Sequence, residues 1–179
     1  MPKQHQTLRF DYSALDSVLA GHSVIEALPA LIQQRQASSI LIVASATLAK
    51  QCEDFAELKA AILASGENRQ VEVFSGIRAH TPREDVLAGV AKARSMNADL
   101  LVSIGGGSII DGCKVIQLAI DQNVFSNDEL IQYAQGSRGR GSRAGDASYF
   151  SKPSKIRQIA VPTTLSGAEF SNNAGVLDT

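Results

Sequence analysis

Sixteen residues, Asp99 to Lys114, read DLLVSIGGGSIIDGCK, and they narrow the possible folds more than any other part of the chain. Asp99–Ile104 is a short, continuous apolar run suited to a strand buried on both faces. Gly105–Gly107 then form a tight turn, and a helix follows from Ser108 to Ile120. A strand that passes through glycines straight into a helix belongs to a parallel α/β sheet.

The rest of the chain keeps the same alternation. Ser39–Ala44 (SILIVA) is a second apolar, β-branched run, Gln70–Phe74 (QVEVF) alternates, and Ile156–Val161 (IRQIAV) supplies a last strand. Between them the pattern predicts helices over about 23–36, with Val24, Leu28, Leu31 and Ile32 on one face, over 47–64, and from Pro82 to Met96. A first extended piece covers Thr7–Phe10. These βαβ units predict an α/β fold, a Rossmann-like parallel sheet flanked by helices, in one domain spanning 1–179. Ligands of such sheets bind beyond the carboxyl ends of the strands, here the loops after Ala44, Ile104 and Val161. The pattern breaks after Asp121. A short helical piece, Asn127–Ala134, leads into the Gly/Ser/Arg run Gly136–Gly145, and a flexible surface loop is expected over about 136–155.

Composition excludes several classes of function. With 17 basic and 18 acidic residues the net charge is −1, which gives no basic field for nucleic acid or an anionic membrane. The Gly/Ser/Arg run holds three arginines and no interleaved aromatic, so it does not make an RNA-binding tract. Met1–Phe10 lacks the apolar stretch of a secretory signal, and no run reaches the ~18 apolar residues of a membrane span. Cys52 and Cys113 stand far apart and are expected to be reduced thiols in a cytoplasmic protein. His5, His22 and His80 show no metal-ligand spacing, so no metal site is expected within this chain.

The glycine turn carries the first chemical signal. Without side chains, Gly105, Gly106 and Gly107 let a phosphate approach the backbone. The leading N–H groups of the helix at Ser108 lack internal partners and carry the positive end of its dipole. The same residues also fit a simple turn with Ser108 as helix cap, and the pattern is not the GxGxxG fingerprint. Asp111 and Lys114 share a helical face; they suit either an ion pair or, for Asp111, a place at the cleft. The second signal is Ala160–Glu169, AVPTTLSGAE. Pro162 ends the strand, and Thr163, Thr164 and Ser166 present hydroxyls at the edge to which the glycine turn points.

Gly105–Lys114 (GGGSIIDGCK) resembles the GGGSxxDxxK signature of the iron-containing, group III alcohol dehydrogenases, and Ile159–Thr164 resembles their later strand end in PTT. The order of strands from Ser39 onward agrees as well. The resemblance implies that Gly106, Gly107 and Ser108 touch a dinucleotide pyrophosphate, flanked by Thr163, Thr164 and Ser166. It assigns no catalytic residue to this stretch.

Two departures bear on substrate. Leu165–Glu169 is one residue shorter than the usual AGTGSE-like stretch, and with His80-Thr-Pro82 it looks more like the maleylacetate reductase branch, which often works without a catalytic metal. Asp111 fits the metal-dependent branch better. Family members that prefer NAD tend to carry an acidic residue after the second strand; here Ser45 stands at that place, so NADP is expected to be preferred or used alongside NAD.

The resemblance further implies a helical C-terminal domain whose Asp and His residues bind iron or zinc. None of those ligands occurs here, and the chain is expected to be a fragment that binds cofactor without turnover. The expected partner is a small alcohol or carbonyl substrate, and an apolar face normally covered by the helical domain would favour a homodimer. The competing expectations are a maleylacetate reductase-like, metal-independent enzyme and a non-catalytic nucleotide-binding module.

Overall fold

Apolar side chains fill both faces of Ser39–Ala44 (β3) and Leu100–Gly105 (β5), and in the computed structural model both strands lie in the middle of a parallel sheet. The structure describes residues 8–12, 15–136, 139–141, 143 and 154–177. Gln70–Phe74 (β4) flanks β3, and Arg157–Pro162 (β8) flanks β5, giving the order β4-β3-β5-β8. The outer strands are only half-buried, as edge positions require. This is the α/β fold that the alternating pattern implies.

Side chains alternate across the sheet with period two, and each face meets its own pair of helices. Ile40, Ile42 and Ala44 of β3, with Leu100, Val102 and Ile104 of β5, pack on Val24–Gln34 (α1) and Glu53–Ala64 (α3) through Leu28, Ile32, Phe55, Leu58 and Ile62. Leu41, Val43 and Leu101 face Arg83–Ser95 (α4) and Gly107–Asp121 (α5) through Val86, Val90, Cys113, Ile116 and Ala119. Ser103 is a fully buried polar residue on this second face, and its Oγ accepts from Gln158 Nε2 at 2.8 Å. Burial pushes the Cys113 thiol far up, and both cysteines are free.

Three local features differ from the sequence expectation. The helix expected over 47–64 is two helices, Ala46–Gln51 (α2) and α3, parted by Cys52 in an extended conformation. Glu53 and Asp54 occupy the first turn of α3, where they complement the helix dipole and give it a start of its own. The first extended piece, Leu8–Tyr12 (β1), pairs antiparallel with Leu15–Ala20 (β2), a strand the periodicity did not mark. After the capped helix Asn127–Ile131 (α6), the Gly/Ser/Arg run opens with a short antiparallel pair, Gln135–Gly136 (β6) with Gly139–Arg140 (β7). Most of the loop expected over 136–155 lies outside the described residues.

α5 carries the glycine turn at one end and is fastened at the other. Arg94 of α4 donates from Nη1 to the Val124 carbonyl at 3.0 Å and from Nη2 to the Ala119 carbonyl at 3.1 Å. Its guanidinium also lies 3.8 Å from the centre of the Phe125 ring. A planar fork satisfies terminal carbonyls and stacks at once, which an ammonium cannot do. Arg94→Ala is therefore expected to destabilise the chain by about 2 kcal/mol, and Arg94→Lys to recover less than half; equilibrium unfolding in urea measures both.

Candidate functional site

Because β3, β5 and β8 run parallel side by side, their following loops leave the sheet at one edge. The ladder continues past the strands: Ser45 N donates to the Ile104 carbonyl at 3.3 Å, and Thr163 N to the Gly105 carbonyl at 3.0 Å. Gly105 lies opposite Pro162 in the register. Ser45, Gly105–Ser108 and Thr163–Ser166 are thereby brought to the same edge, as their positions in the sequence predict.

The glycine turn leaves little room for side chains. A Cβ on Gly105 would stand 2.7 Å from Ile109 Cγ1, one on Gly106 3.1 Å from Thr164 Cγ2, and one on Gly107 3.2 Å from Ser166 Oγ. The turn and the Thr/Ser loop thus lie against each other with bare backbone between them. Gly106 is the N-cap of α5, which begins at Gly107, and no side chain caps it. The leading N–H groups of a 15-residue helix therefore face the edge with their dipole unopposed. Thr163, Thr164 and Ser166 are exposed beside them.

Ser108 does not cap the helix. Its Oγ accepts from the His80 amide at 3.1 Å, and its carbonyl accepts from Thr81 Oγ1 at 3.0 Å. A hydroxyl that accepts in this way keeps its own proton to donate. His80 and Thr81 both adopt left-handed backbone, φ 64° and 56°, which is an outlier for a β-branched residue such as Thr81. Leu177 N bridges their two carbonyls at 3.1 and 3.0 Å. Just before this turn, Arg78 donates from its amide and guanidinium to Asp85 at 2.8–2.9 Å and holds that carboxyl below the usual carboxylate range. The contact of this turn with Ser108 escaped the sequence reading, since a β-branched residue such as Thr81 argues against a left-handed turn.

Asp111 and Lys114 form the ion pair open to them from their spacing, Nζ to Oδ1 3.1 Å. They also hold the segment 173–175: Gly175 N donates to Asp111 Oδ2 at 2.9 Å, and Lys114 Nζ to the Asn173 carbonyl at 2.7 Å. Ser45 is the N-cap of α2, accepting from Leu48 N at 3.3 Å. No carboxylate stands between Ala44 and Lys50. Among the described residues no three of His, Cys, Asp and Glu gather to hold a metal ion.

A parallel sheet with a glycine turn opening a long helix at its carboxyl edge defines a Rossmann-like α/β domain. The family model for iron-containing alcohol dehydrogenases matches residues 16–179, and the chain belongs to that family. Dehydrogenase FUM7 of Gibberella moniliformis is 36% identical over 143 residues, covering 78% of this chain and 32% of that protein. An alcohol dehydrogenase of Thermococcus barophilus is 29% identical over 115 residues, covering 62% and 27%. The iron-containing alcohol dehydrogenase from Thermococcus thioreducens superposes with a TM-score of 0.61 at 25% identity, over 80% of this chain and 34% of that one. The fold is shared by a maleylacetate reductase from Agrobacterium tumefaciens, with a TM-score of 0.53 at 23% identity over 81% and 30%. The chain thus spans about a third of the length of the relatives it matches.

Asp111 is expected to fix the segment at the rim. Asp111→Ala should raise hydrogen exchange at the Gly175 amide by about tenfold or more. An unchanged rate would show that the Leu177 contacts hold the segment unaided.

Proposed function

We propose that this chain is the cofactor-binding half of an NAD(P)-dependent oxidoreductase that moves hydride between nicotinamide and an alcohol or carbonyl carbon. The observation that carries this is the bare backbone of Gly106 and Gly107 between the uncapped start of α5 and the Thr164 and Ser166 side chains. A pyrophosphate fits such a place, since it needs close backbone approach, free N–H donors and a positive dipole end. Family membership supports the same class.

In this reading Gly105, Gly106 and Gly107 admit the pyrophosphate, and the Ser108 hydroxyl and the α5 amides donate to it. Thr163, Thr164 and Ser166 donate from the β8 side. Asp111 lies one turn behind Ser108 and contributes to the site by fixing the 173–175 segment together with Lys114. The bound cofactor supplies the hydride at nicotinamide C4. Ser45 reaches the adenosine ribose and brings no negative charge, so a 2′-phosphate is tolerated and NADP is used as readily as NAD. Iron or zinc, where the longer enzyme uses one, would be held by its helical domain and not by the residues of this sheet edge. The proposal places the chain as one domain in the cytoplasm, in keeping with two free cysteines, and as a homodimer, in keeping with the exposed Leu165, Phe170 and Leu177.

Titration of the chain with NADPH and NADH, followed by nicotinamide fluorescence, tests this directly. Saturable binding is expected, and Gly106→Val, which drives side-chain atoms into Thr164, should weaken both cofactors by about a hundredfold. Full binding by that variant would remove the pyrophosphate from the glycine turn. Ser45→Asp should shift the NADPH/NADH affinity ratio at least about tenfold toward NADH. An unchanged ratio would take Ser45 out of the ribose site.

A further inference from the structure

Beyond Ser166 the loop after β8 turns through Gly167, φ 70°, into one 3-10 turn, Ala168–Phe170, which packs on the start of α5. Its middle residue is Glu169, half-buried, with Oε2 shielded from solvent and without a hydrogen-bond partner. A carboxyl oxygen removed from water and given no donor is unfavourable for the folded chain. The more deeply buried polar side chains are paired, Ser103 with Gln158 and Thr81 with the Ser108 carbonyl. The orphaned oxygen therefore marks a place where a donor is wanted and none of the described residues supplies it.

The sheet order tells which donor. Neighbouring strands lie about 4.8 Å apart, so β3, β5 and β8 together span roughly 10 Å. With the pyrophosphate at β5 and α5 and the adenosine ribose near Ser45 after β3, the other nucleoside falls over the loop after β8. That loop carries Glu169. We propose that Glu169 binds the nicotinamide nucleoside, accepting a hydrogen bond from a ribose hydroxyl or from the carboxamide N–H. The inference rests on the dinucleotide reading above and adds a residue and an orientation to it. Because Oε2 is shielded from solvent in the free chain, the Glu169 side chain must turn outward to meet the cofactor, and binding then supplies the partner it lacks.

The test uses two variants, Glu169→Gln and the apolar Glu169→Met, with NADPH, NADH, ADP-ribose and ADP as probes. Both variants are expected to bind the two dinucleotides about tenfold more weakly and ADP within about twofold of the unaltered chain. ADP-ribose divides the two donors: it weakens alongside the dinucleotides if the ribose hydroxyls are the partners, and stays unchanged if the carboxamide is. Without ligand, Glu169→Met should unfold about 2–4 °C higher than the unaltered chain, because the orphan is gone. A residue with a merely structural role would lower that midpoint. Unchanged dinucleotide affinity in both variants, an equal loss for ADP, or a lowered midpoint in Glu169→Met overturns the inference while leaving the glycine-turn site standing. Failure of the unaltered chain to bind any of the four probes removes the site itself, and the inference with it.

Discussion

Parallel pairing of β5 with both β3 and β8 is the constraint from which the rest of the site follows. The register sets Gly105 against Pro162, and the ladder runs one bond further on each side, from Ser45 N to Ile104 O and from Thr163 N to Gly105 O. The loops are thus fixed at their roots by the sheet. A slip of one residue in β8 would shift Thr164 by about 3.3 Å and turn its side chain to the other face. The close fit of Gly106 against Thr164 would then be lost. Burial on both faces of β5 guards against such a slip, because any change of register moves a whole set of side chains out of its pocket.

α5 converts that sheet geometry into a directed helix end. At its far end Arg94 ties the Ala119 and Val124 carbonyls to α4. At its near end the His80–Thr81 turn presses on Ser108, and Asp111 with Lys114 holds the segment that reaches Leu177. Two successive left-handed residues persist only where their surroundings over-determine them, and Leu177 N, bridging both carbonyls, provides that restraint. The helix N-terminus is thereby fixed in position, with its dipole left uncapped and aimed at the edge.

The sheet was legible in the sequence because its inner strands are short apolar runs, which leave little choice but burial on both faces. The glycine turn was legible because it directly follows such a strand, and the Thr/Ser loop because Pro162 ends the strand before it. The pieces that escaped are those set by contacts between distant residues. Ser108 looked like a cap, yet its hydroxyl belongs to His80, 28 residues earlier. Asp111 was open to an ion pair with Lys114 or a place in the cleft; the structure adds a hydrogen bond from Gly175, 64 residues later. The break at Cys52 was hidden because the apolar spacing on both sides suits one helix, while the acidic pair Glu53–Asp54 marked a second start. β2 went unmarked because its pairing with β1, rather than any strong alternation of its own, makes it a strand.

Several unfavourable features gather at one edge of the sheet. The uncapped start of α5, the bare glycine backbone, the left-handed His80–Thr81 pair and the orphaned Glu169 oxygen all sit at the carboxyl edge or on the loops that frame it. In the remainder of the described structure the cores are continuous and the buried polar groups are paired. A domain stable by only about 5–15 kcal/mol can carry several such local costs only if each is offset elsewhere or relieved by a ligand. Their concentration at one edge, where three parallel strands end together, fits a binding surface better than accidents of packing. On the dinucleotide reading proposed above, three of these four have a complement: anionic oxygens for the helix end, a pyrophosphate in close approach for the bare backbone, and donors for the carboxyl.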